Sequence, residues 1–503
     1  MDAVPRMTRR AFLRTGAVGM GTMLASGGLA RAGAFRNGGP HGKDRGPNVV
    51  LLLVDDMGYG DIAAHGNPIL KTPNFDVLHD RSVRFTNFAV SPSCAPTRAA
   101  LLTGKHEFLS SVTHTIKPMR EMNPKATTIA QLFRAKGYRT GLFGKWHLEL
   151  RGAYHPSCRG FDETLTCIDD NYKRTHFNPT LLHNLVERKY QGYRTDILFN
   201  SAIDFIRRHR DRPFFVYLAT HSPHSPHRVP SRYSKPYEVF RGRYDGKRYG
   251  TGFFGMVTNV DENLGRLMTC LKELRLDANT LLIAMTDNGG TGGVDVFNAG
   301  RRGVKGTIWS GGTRAYSFWK WGDRFAPGDR PQMAGHVDVL PTLADLCGLE
   351  VPEDVKAQLE GDSLRPVLED AKAKLDENRM QVHHVGRWSD PKSWVDHKYA
   401  NASVRWKQYT LVRIEPCRDE KCGTCFAVRN RIPRGTFKLS YTTNPEHHRI
   451  TAPGRWELYD IEADPFQKTD IAGKHPEIVK KMAEHYDAWW KKVEAELTRR
   501  WGQ

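Results

Sequence analysis

The sequence predicts an α/β fold with a large mixed, mostly parallel sheet sandwiched by helices, followed by a smaller C-terminal α+β domain. Three observations support this prediction. The chain has 503 residues, which is enough for two domains. Four continuous apolar runs alternate with helical patterns in the first three hundred residues. From about residue 380 onward, polar and apolar residues mix within each run, as in half-exposed antiparallel strands.

The four apolar runs predict strands that are buried on both faces, because their apolar residues are continuous rather than alternating. Helical patterns at Thr128–Ala135 and Asp196–Arg208 separate them, as expected for helices that cover a parallel sheet. The predicted strands are Asn48–Val54, Tyr138–Phe143, Pro213–Ala219 and Leu281–Met285.

The C-terminal domain is predicted to contain an antiparallel sheet and a long helix. Its candidate strands are Ser403–Ile414, Thr436–Tyr441 and Trp456–Ile461. The amphipathic pattern at Pro476–Leu497 predicts the helix. We place the boundary between the two domains in the charged segment Glu369–Arg379.

The N-terminus has the features of an export signal. The stretch Thr8–Arg14 resembles a twin-arginine signal, and a Gly-rich, mildly apolar run follows at Gly16–Ala30. Small residues suited to cleavage occur up to Ala34. We therefore predict a bacterial protein that the twin-arginine translocase delivers to the periplasm or the exterior, with no membrane span in the mature chain. The predicted division is a signal at 1–34, a catalytic domain at 35–375 and the C-terminal domain at 376–503.

The formal net charge of +20 raises the question of a nucleic-acid partner. The basic residues are dispersed, however, and no long Lys/Arg run occurs outside the N-terminus. An anionic substrate explains the charge at least as well. We therefore expect no nucleic-acid binding.

Polar, chemically capable side chains follow each of the four predicted strands. In open α/β sheets, ligands bind outside the carboxyl ends of the strands. Because the same placement occurs four times, we predict an active site at that edge of the sheet. The candidate residues are Asp55, Asp56, Lys145, His147, His221, His224, Asp287 and Asn288.

A further reactive group is predicted at the start of a helix. Pro96 suits a first helical turn and Gly104 suits a helix end, so Cys94 lies at the N-terminus. The helix dipole there favours negative charge. Arg98 follows Cys94 by one helical turn and shares its face. This combination predicts an anion site that contains a nucleophile.

The string from Cys94 to Gly104 (CAPTRAALLTG) resembles the signature of the type I sulfatases of the alkaline phosphatase superfamily. The resemblance extends from Asn48 to near the C-terminus. The other motifs that carry it are Asp55-Asp56, Gly144–Leu148, Pro223–Pro226, Asp287-Asn288 and Lys305–Thr307.

This resemblance implies that a formylglycine-generating enzyme oxidises Cys94 to formylglycine. The hydrated aldehyde would be the nucleophile that attacks sulfur. The resemblance also implies one calcium ion, with magnesium left open. Its ligands would be the modified Cys94 together with Asp55, Asp56, Asp287 and Asn288, whose oxygens suit a hard cation.

The resemblance also implies roles for the remaining residues. Arg98, Lys145 and Lys305 would stabilise the oxygens of the transferring group. His147 would orient or deprotonate the hydrate, and His224 would protonate the leaving oxygen. Substrate contacts are expected from His221 and His114.

The chain departs from the family pattern beside the lysine motif. Ser310 stands where a Glu is common, and Ala315-Tyr316 replaces the usual Val-Pro. The expected substrate is a sulfated carbohydrate or another sulfate ester. Two alternatives remain open at this point: a phosphodiesterase or phosphonate monoester hydrolase, and a non-catalytic glycan-binding relative.

Eight cysteines occur, and Cys417, Cys422 and Cys425 form a cluster in the sequence. Cys158 and Cys167 are also near each other. An exported protein permits disulfides. The three clustered thiols would also suit zinc, but no fourth ligand occurs at a standard spacing. We therefore favour a local disulfide in this cluster.

Overall fold

The computed structural model describes residues 46–168, 176–240, 250–417, 422, 444–448 and 452–502. The predicted signal at 1–34 and the predicted strand Thr436–Tyr441 lie outside the described residues. Among the residues that are described, no helix is both long and apolar enough to cross a membrane.

Most of the described strands belong to one large mixed sheet. Within the described residues it contains ten strands: β1 (Asn48–Asp55), β2 (Val83–Phe85), β4 (Arg139–Gly144), β5 (Glu163–Cys167), β6 (Thr180–His183), β7 (Val186–Lys189), β8 (Phe214–Pro223), β9 (Thr280–Thr286), β10 (Ser317–Trp321) and β11 (Gly328–Arg330). A separate two-stranded sheet pairs β3 (Phe88–Ala89) with β12 (Ala334–Gly335).

The large sheet has the order β11-β2-β10-β9-β1-β8-β4-β5-β6-β7. Its centre, from β9 to β5, is parallel, and β10 pairs with β9 in the antiparallel sense. The predicted fold class is confirmed, and the four predicted strands are the central β1, β4, β8 and β9. The sequence analysis did not predict β10, a short strand that pairs with β2 and β9, both of which are distant from it in the sequence.

Helices cover both faces of the large sheet. In β1, Val49, Leu51 and Leu53 pack into one core, and the intervening residues pack into the other. The described helices are α1 (Pro73–Asp80), α2 (Cys94–Thr103), α3 (Ile129–Ala135), α4 (Arg194–Arg208), α5 (Ser231–Ser234), α6 (Thr251–Glu273), α7 (Ser310–Thr313), α8 (Val339–Cys347), α9 (Glu353–Lys356), α10 (Arg365–Glu369) and α11 (Pro476–Trp501). Helices α2, α3 and α8 cover the first core, and α1, α4 and α6 cover the second.

A smaller antiparallel sheet contains β13 (Gln381–His384), β14 (Ala402–Trp406), β15 (Tyr409–Arg413) and β16 (Trp456–Asp460). The long helix α11 packs on it through a cluster of aromatic side chains. The run that the sequence predicted as one strand at 403–414 is a hairpin, because Lys407 adopts a positive φ of 54°. The domain boundary at residue 375 stays a prediction.

His384, in β13, makes the stability of this C-terminal core dependent on pH. Its side chain is 2% exposed, and burial lowers its pKa to about 3. In the unfolded chain the pKa of this histidine is about 6.5. Between about pH 3 and pH 6.5 the unfolded state therefore binds a proton that the folded state does not bind. The contribution to stability is therefore fully present above pH 6.5 and is lost progressively as the pH falls towards 3.

We expect His384→Gln to reduce the pH dependence of the free energy of unfolding. The slope between pH 6 and 4 should fall by about 1.4 kcal/mol per pH unit relative to the unaltered chain. Urea titrations at several pH values measure this slope directly. Equal slopes for the two proteins would contradict the assignment.

Candidate active site

Four polar side chains converge at the carboxyl edge of the neighbouring strands β1 and β9. Asp55 ends β1 and Asp56 follows it, while Asp287 and Asn288 follow β9. All four are at most 2% exposed. The Asn288 amide donates a hydrogen bond to Asp56 Oδ1 at 2.9 Å. The parallel pairing of β1 with β9 thus produces the carboxylate cluster that the sequence predicted.

Three buried cations each pair with one of these carboxylates. The distance from Arg98 Nη2 to Asp287 Oδ2 is 2.6 Å. Lys145 Nζ lies 2.6 Å from Asp55 Oδ2. The ammonium of Lys305 contacts Asp56 Oδ1 at 2.5 Å. Three positive charges therefore balance three negative ones among buried side chains.

The protonation states follow from burial and from these pairs. Burial raises the pKa of Asp56, but the Lys305 ammonium and other nearby cations outweigh burial and hold the pKa at about 2. For Asp287, burial and the adjacent Asp55 carboxylate raise the pKa. Burial lowers the pKa of Arg98, but its carboxylate neighbours raise it above the usual range. The Arg98 guanidinium thus stays charged at neutral pH.

Cys94 is the first residue of α2 and is 2% exposed. Its Sγ lies 3.4 Å from His147 Nδ1, and the ligand atoms of Cys94, Asp55 and Asp287 lie within 4.8 Å of one another. The structure therefore places Cys94 at the helix N-terminus and beside the carboxylates, as the sequence predicted. The partial positive charge of the helix terminus favours an anion at this position.

A hydrogen bond at Nε2 fixes the orientation of the His147 ring. Its Nε2 is 3.1 Å from the carbonyl oxygen of Thr115, which can only accept a hydrogen bond. The proton therefore resides on Nε2, and the Nδ1 lone pair faces Cys94. Burial, followed by the charge of Lys145, holds the pKa of His147 well below its usual range. The ring is thus a neutral base next to the reactive position.

The other predicted histidines differ in their surroundings. His224 Nε2 is 3.7 Å from Asp56 Oδ2, and its Nδ1 donates to the Ser225 carbonyl at 2.7 Å. His221 is buried at the end of β8. His114 is only half-buried, and its Nδ1 accepts a hydrogen bond from the backbone N–H of Thr115.

The structure adds Arg387, which the sequence analysis did not predict. A Cβ at Gly306 would lie 3.0 Å from Arg387 Nη1, so the guanidinium packs directly on the glycine beside Lys305. Burial lowers the pKa of His114 to about 4, and the charge of Arg387 adds to this shift. Arg387 follows β13 in the C-terminal sheet, so no pattern at the ends of the parallel strands could indicate it.

The donor set fits a hard divalent cation. Asp55 Oδ1 and Asn288 Oδ1 are both buried and have no hydrogen-bond partner. Buried oxygens without partners are energetically costly unless another group satisfies them. A cation bound by carboxylate and amide oxygens would satisfy both atoms. Asp55, Asp56, Asp287 and Asn288 are therefore suited to hold a metal ion next to Cys94.

A nucleophile position surrounded by fixed cations is the arrangement that an ester hydrolase needs for an anionic substrate. Residues 47–349 match the family model described as "Sulfatase", which is more than half of the chain. The chain belongs to the sulfatase family, in the alkaline phosphatase superfamily, and is a sulfuric ester hydrolase.

Similar proteins extend the match beyond the family model. Human arylsulfatase A is 32% identical over 496 residues, covering 87% of this chain and 86% of that protein. Human N-acetylgalactosamine-6-sulfatase is 30% identical over 367 residues, covering 66% and 67% of the two chains. The crystal structure of Ps i-CgsB superposes with a TM-score of 0.73 at 25% identity, covering 89% of this chain and 94% of that one.

Proposed function

We propose that this protein hydrolyses sulfate esters of carbohydrates, with a formylglycine made from Cys94 and one bound calcium ion. The observation that supports this proposal most strongly is the position of Cys94. It lies at a helix N-terminus, between His147 and the carboxylates of Asp55 and Asp287. The similarity to N-acetylgalactosamine-6-sulfatase supports a sulfated sugar as the substrate. Oxygen-only donors favour calcium or magnesium over softer metals.

The hydrated aldehyde of formylglycine supplies two hydroxyl groups, one to attack sulfur and one to release the sulfate. In our proposal His147 Nδ1 accepts a proton from this hydrate. The Thr115 carbonyl holds the ring in the required tautomer. The low pKa of His147 keeps Nδ1 unprotonated at neutral pH.

The three cations are proposed to bind the sulfate oxygens as negative charge develops on them. Arg98 is held on two sides, because Nη1 donates to the Lys145 carbonyl at 2.8 Å and Nη2 pairs with Asp287. Such fixed charges need little reorganisation during the reaction. A divalent cation at the carboxylates would add positive charge to a site in which the protein charges already balance.

His224 is the proposed proton donor to the leaving alcohol oxygen. Its Nδ1–H donates to the Ser225 carbonyl, so Nε2 is the nitrogen that can exchange a proton with the substrate. The pKa of His224 lies below its usual value, because the effect of burial outweighs the opposing charge of the Asp56 carboxylate. Lys305, which contacts the same carboxylate, is the second candidate for this role.

Substrate contacts beyond the sulfate group are proposed for His221, His114 and Arg387. The Arg387 guanidinium, packed against Gly306, adds a positive charge beside Lys305. A guanidinium suits a carboxylate or a second sulfate group. We therefore favour a carbohydrate that carries more than one anionic group.

The maturation and location of the protein remain proposals from the sequence. A formylglycine-generating enzyme would modify Cys94 before export. The twin-arginine translocase would then carry the folded chain to the periplasm or the exterior. The signal at 1–34 on which this route depends lies outside the described residues.

A comparison of matched esters tests the proposed reaction. We expect the sulfate ester of one alcohol to be preferred over its phosphate monoester by about three orders of magnitude or more in kcat/KM, each tenfold being about 1.4 kcal/mol. A sulfate monoester carries a single negative charge, which suits a site with one metal ion. Phosphatases, in contrast, commonly use two metal ions.

The assay uses one preparation of the full chain with calcium present, and the corresponding phosphodiester and phosphonate monoester complete the panel. Comparable rates on the sulfate and phosphate monoesters would contradict the proposal. Faster turnover of the phosphodiester or the phosphonate ester would favour the alternative hydrolases.

A further inference from the structure

A second group of metal-ligating side chains lies in the C-terminal part of the described chain. His397, Cys417 and Cys422 are 1%, 4% and 1% exposed, respectively. One ring nitrogen of His397 and the two Sγ atoms all lie within 4.8 Å of one another. None of these residues belongs to the active site. Cys417 and Cys422 also pack with Ala400 in a small buried apolar cluster, which keeps water away from the thiols.

His397 presents the correct nitrogen to the two cysteines. Its Nδ1 lies 2.5 Å from the carbonyl oxygen of Ser393, so Nδ1 carries the proton and donates it. The lone pair of Nε2 is then directed at Cys422 Sγ, which is 3.3 Å away. Histidines that bind metals are commonly fixed in this way, by a hydrogen bond from the other ring nitrogen to a carbonyl group.

We propose that His397, Cys417 and Cys422 bind a zinc ion. Two thiolates and an imidazole are ligands that select zinc over calcium or magnesium. Tetrahedral zinc places sulfur and nitrogen ligands about 3.6 Å apart, and the Nε2–Sγ distance of 3.3 Å is close to this value. The three side chains leave one coordination position for a further donor.

Zinc binding changes the oxidation state of neither the metal nor the cysteine sulfurs. The zinc ion replaces the protons of the two thiols, which pass to the solvent, and the neutral imidazole donates its existing lone pair. The site thus needs only the metal ion. A disulfide between the same cysteines would need an oxidant and would exclude zinc, so the two outcomes can be distinguished chemically.

The zinc ion would join two segments that border the small sheet. The loop before β14 supplies His397, and the segment after β15 supplies Cys417. The backbone N–H of Glu415 already donates to the Tyr399 carbonyl at 2.9 Å, so the segments are adjacent. The ring of Trp388, next to Arg387, lies 5.8 Å from the His397 ring. The site is therefore structural, and it supports the loop that carries Arg387 to the active site.

The sequence alone favoured a disulfide in this region, because no fourth ligand followed the cysteines at a standard spacing. His397 precedes them on a separate loop, so only the folded chain brings its ring to the thiols. Cys425 follows Cys422 in the sequence but lies outside the described residues.

Elemental analysis of the full chain, produced with zinc in the medium and then dialysed, tests the proposal. We expect about one zinc per chain, and its loss in Cys422→Ser and in His397→Ala. Two controls should retain it: Cys158→Ser, which changes an exposed thiol, and Asp345→Asn, which alters an ion pair whose two side chains are more than a third exposed.

If the cysteine and histidine variants fail to fold, the unaltered chain decides the question. Cobalt in place of zinc should give the near-ultraviolet absorption of thiolate-to-cobalt charge transfer. The proposal is overturned if the unaltered chain contains no zinc and shows no such absorption. A non-reducing peptide map that joins Cys417 or Cys422 in a disulfide would overturn it equally.

Discussion

Replacement of Cys94 by alanine is expected to reduce kcat/KM on sulfate esters by about 10⁴-fold or more. The substitution removes the only side chain that our mechanism uses as a nucleophile. It should leave the fold intact, because Cys94 lies at the start of α2 and, among the described residues, the side-chain hydrogen-bond partner of its Sγ is His147. Steady-state kinetics with a chromogenic sulfate ester, together with circular dichroism, measure both effects.

Cys270→Ala is the matched control. Cys270 is equally buried, at 2% exposed, but lies in α6 within the apolar core. This substitution should change the free energy of unfolding slightly, and it should change kcat/KM by less than tenfold. Activity of Cys94→Ala within tenfold of the unaltered enzyme would show that another group performs the attack.

Replacement of Asp287 by asparagine is expected to abolish turnover and to destabilise the fold. Asp287 accepts hydrogen bonds from both Nε and Nη2 of Arg98, and both side chains are completely buried. Loss of one partner of a buried ion pair costs about 3–5 kcal/mol. The same substitution removes a proposed calcium ligand. Urea unfolding and sulfate ester kinetics, each with and without added calcium, measure these consequences.

Asp345→Asn provides the control for this experiment. Asp345 pairs with Arg365 at 2.9 Å, but both side chains are more than a third exposed. Surface pairs of this kind contribute about 0–1 kcal/mol, so neither stability nor turnover should change appreciably. Turnover by Asp287→Asn in a metal-free buffer at the normal rate would refute the proposed metal site.

The sequence was sufficient to predict the centre of the fold and most of the candidate site. Continuous apolar runs mark strands such as β1 and β9, because both faces of a parallel sheet are covered. The residues after those strands then meet by geometry, so Asp55 and Asp287 could be predicted together without knowledge of the packing. Cys94 and Arg98 followed from the local signals of a helix start.

Other features depend on contacts between distant segments and had no local signal. The Thr115 carbonyl that orients His147 is a backbone atom, so residue type says nothing about it. Arg387 reaches Gly306 from the C-terminal sheet. His397 approaches Cys422 from another loop. In each case the partner is determined by how the segments pack, and only the three-dimensional structure contains that information.

The most direct test of the proposed mechanism is the chemical state of residue 94 in active enzyme. Peptide mass spectrometry of the enzyme, produced together with a formylglycine-generating enzyme, should detect formylglycine at this position. The modified fraction should rise in proportion to the specific activity across preparations. A fully active preparation that contains only unmodified Cys94 would contradict the account.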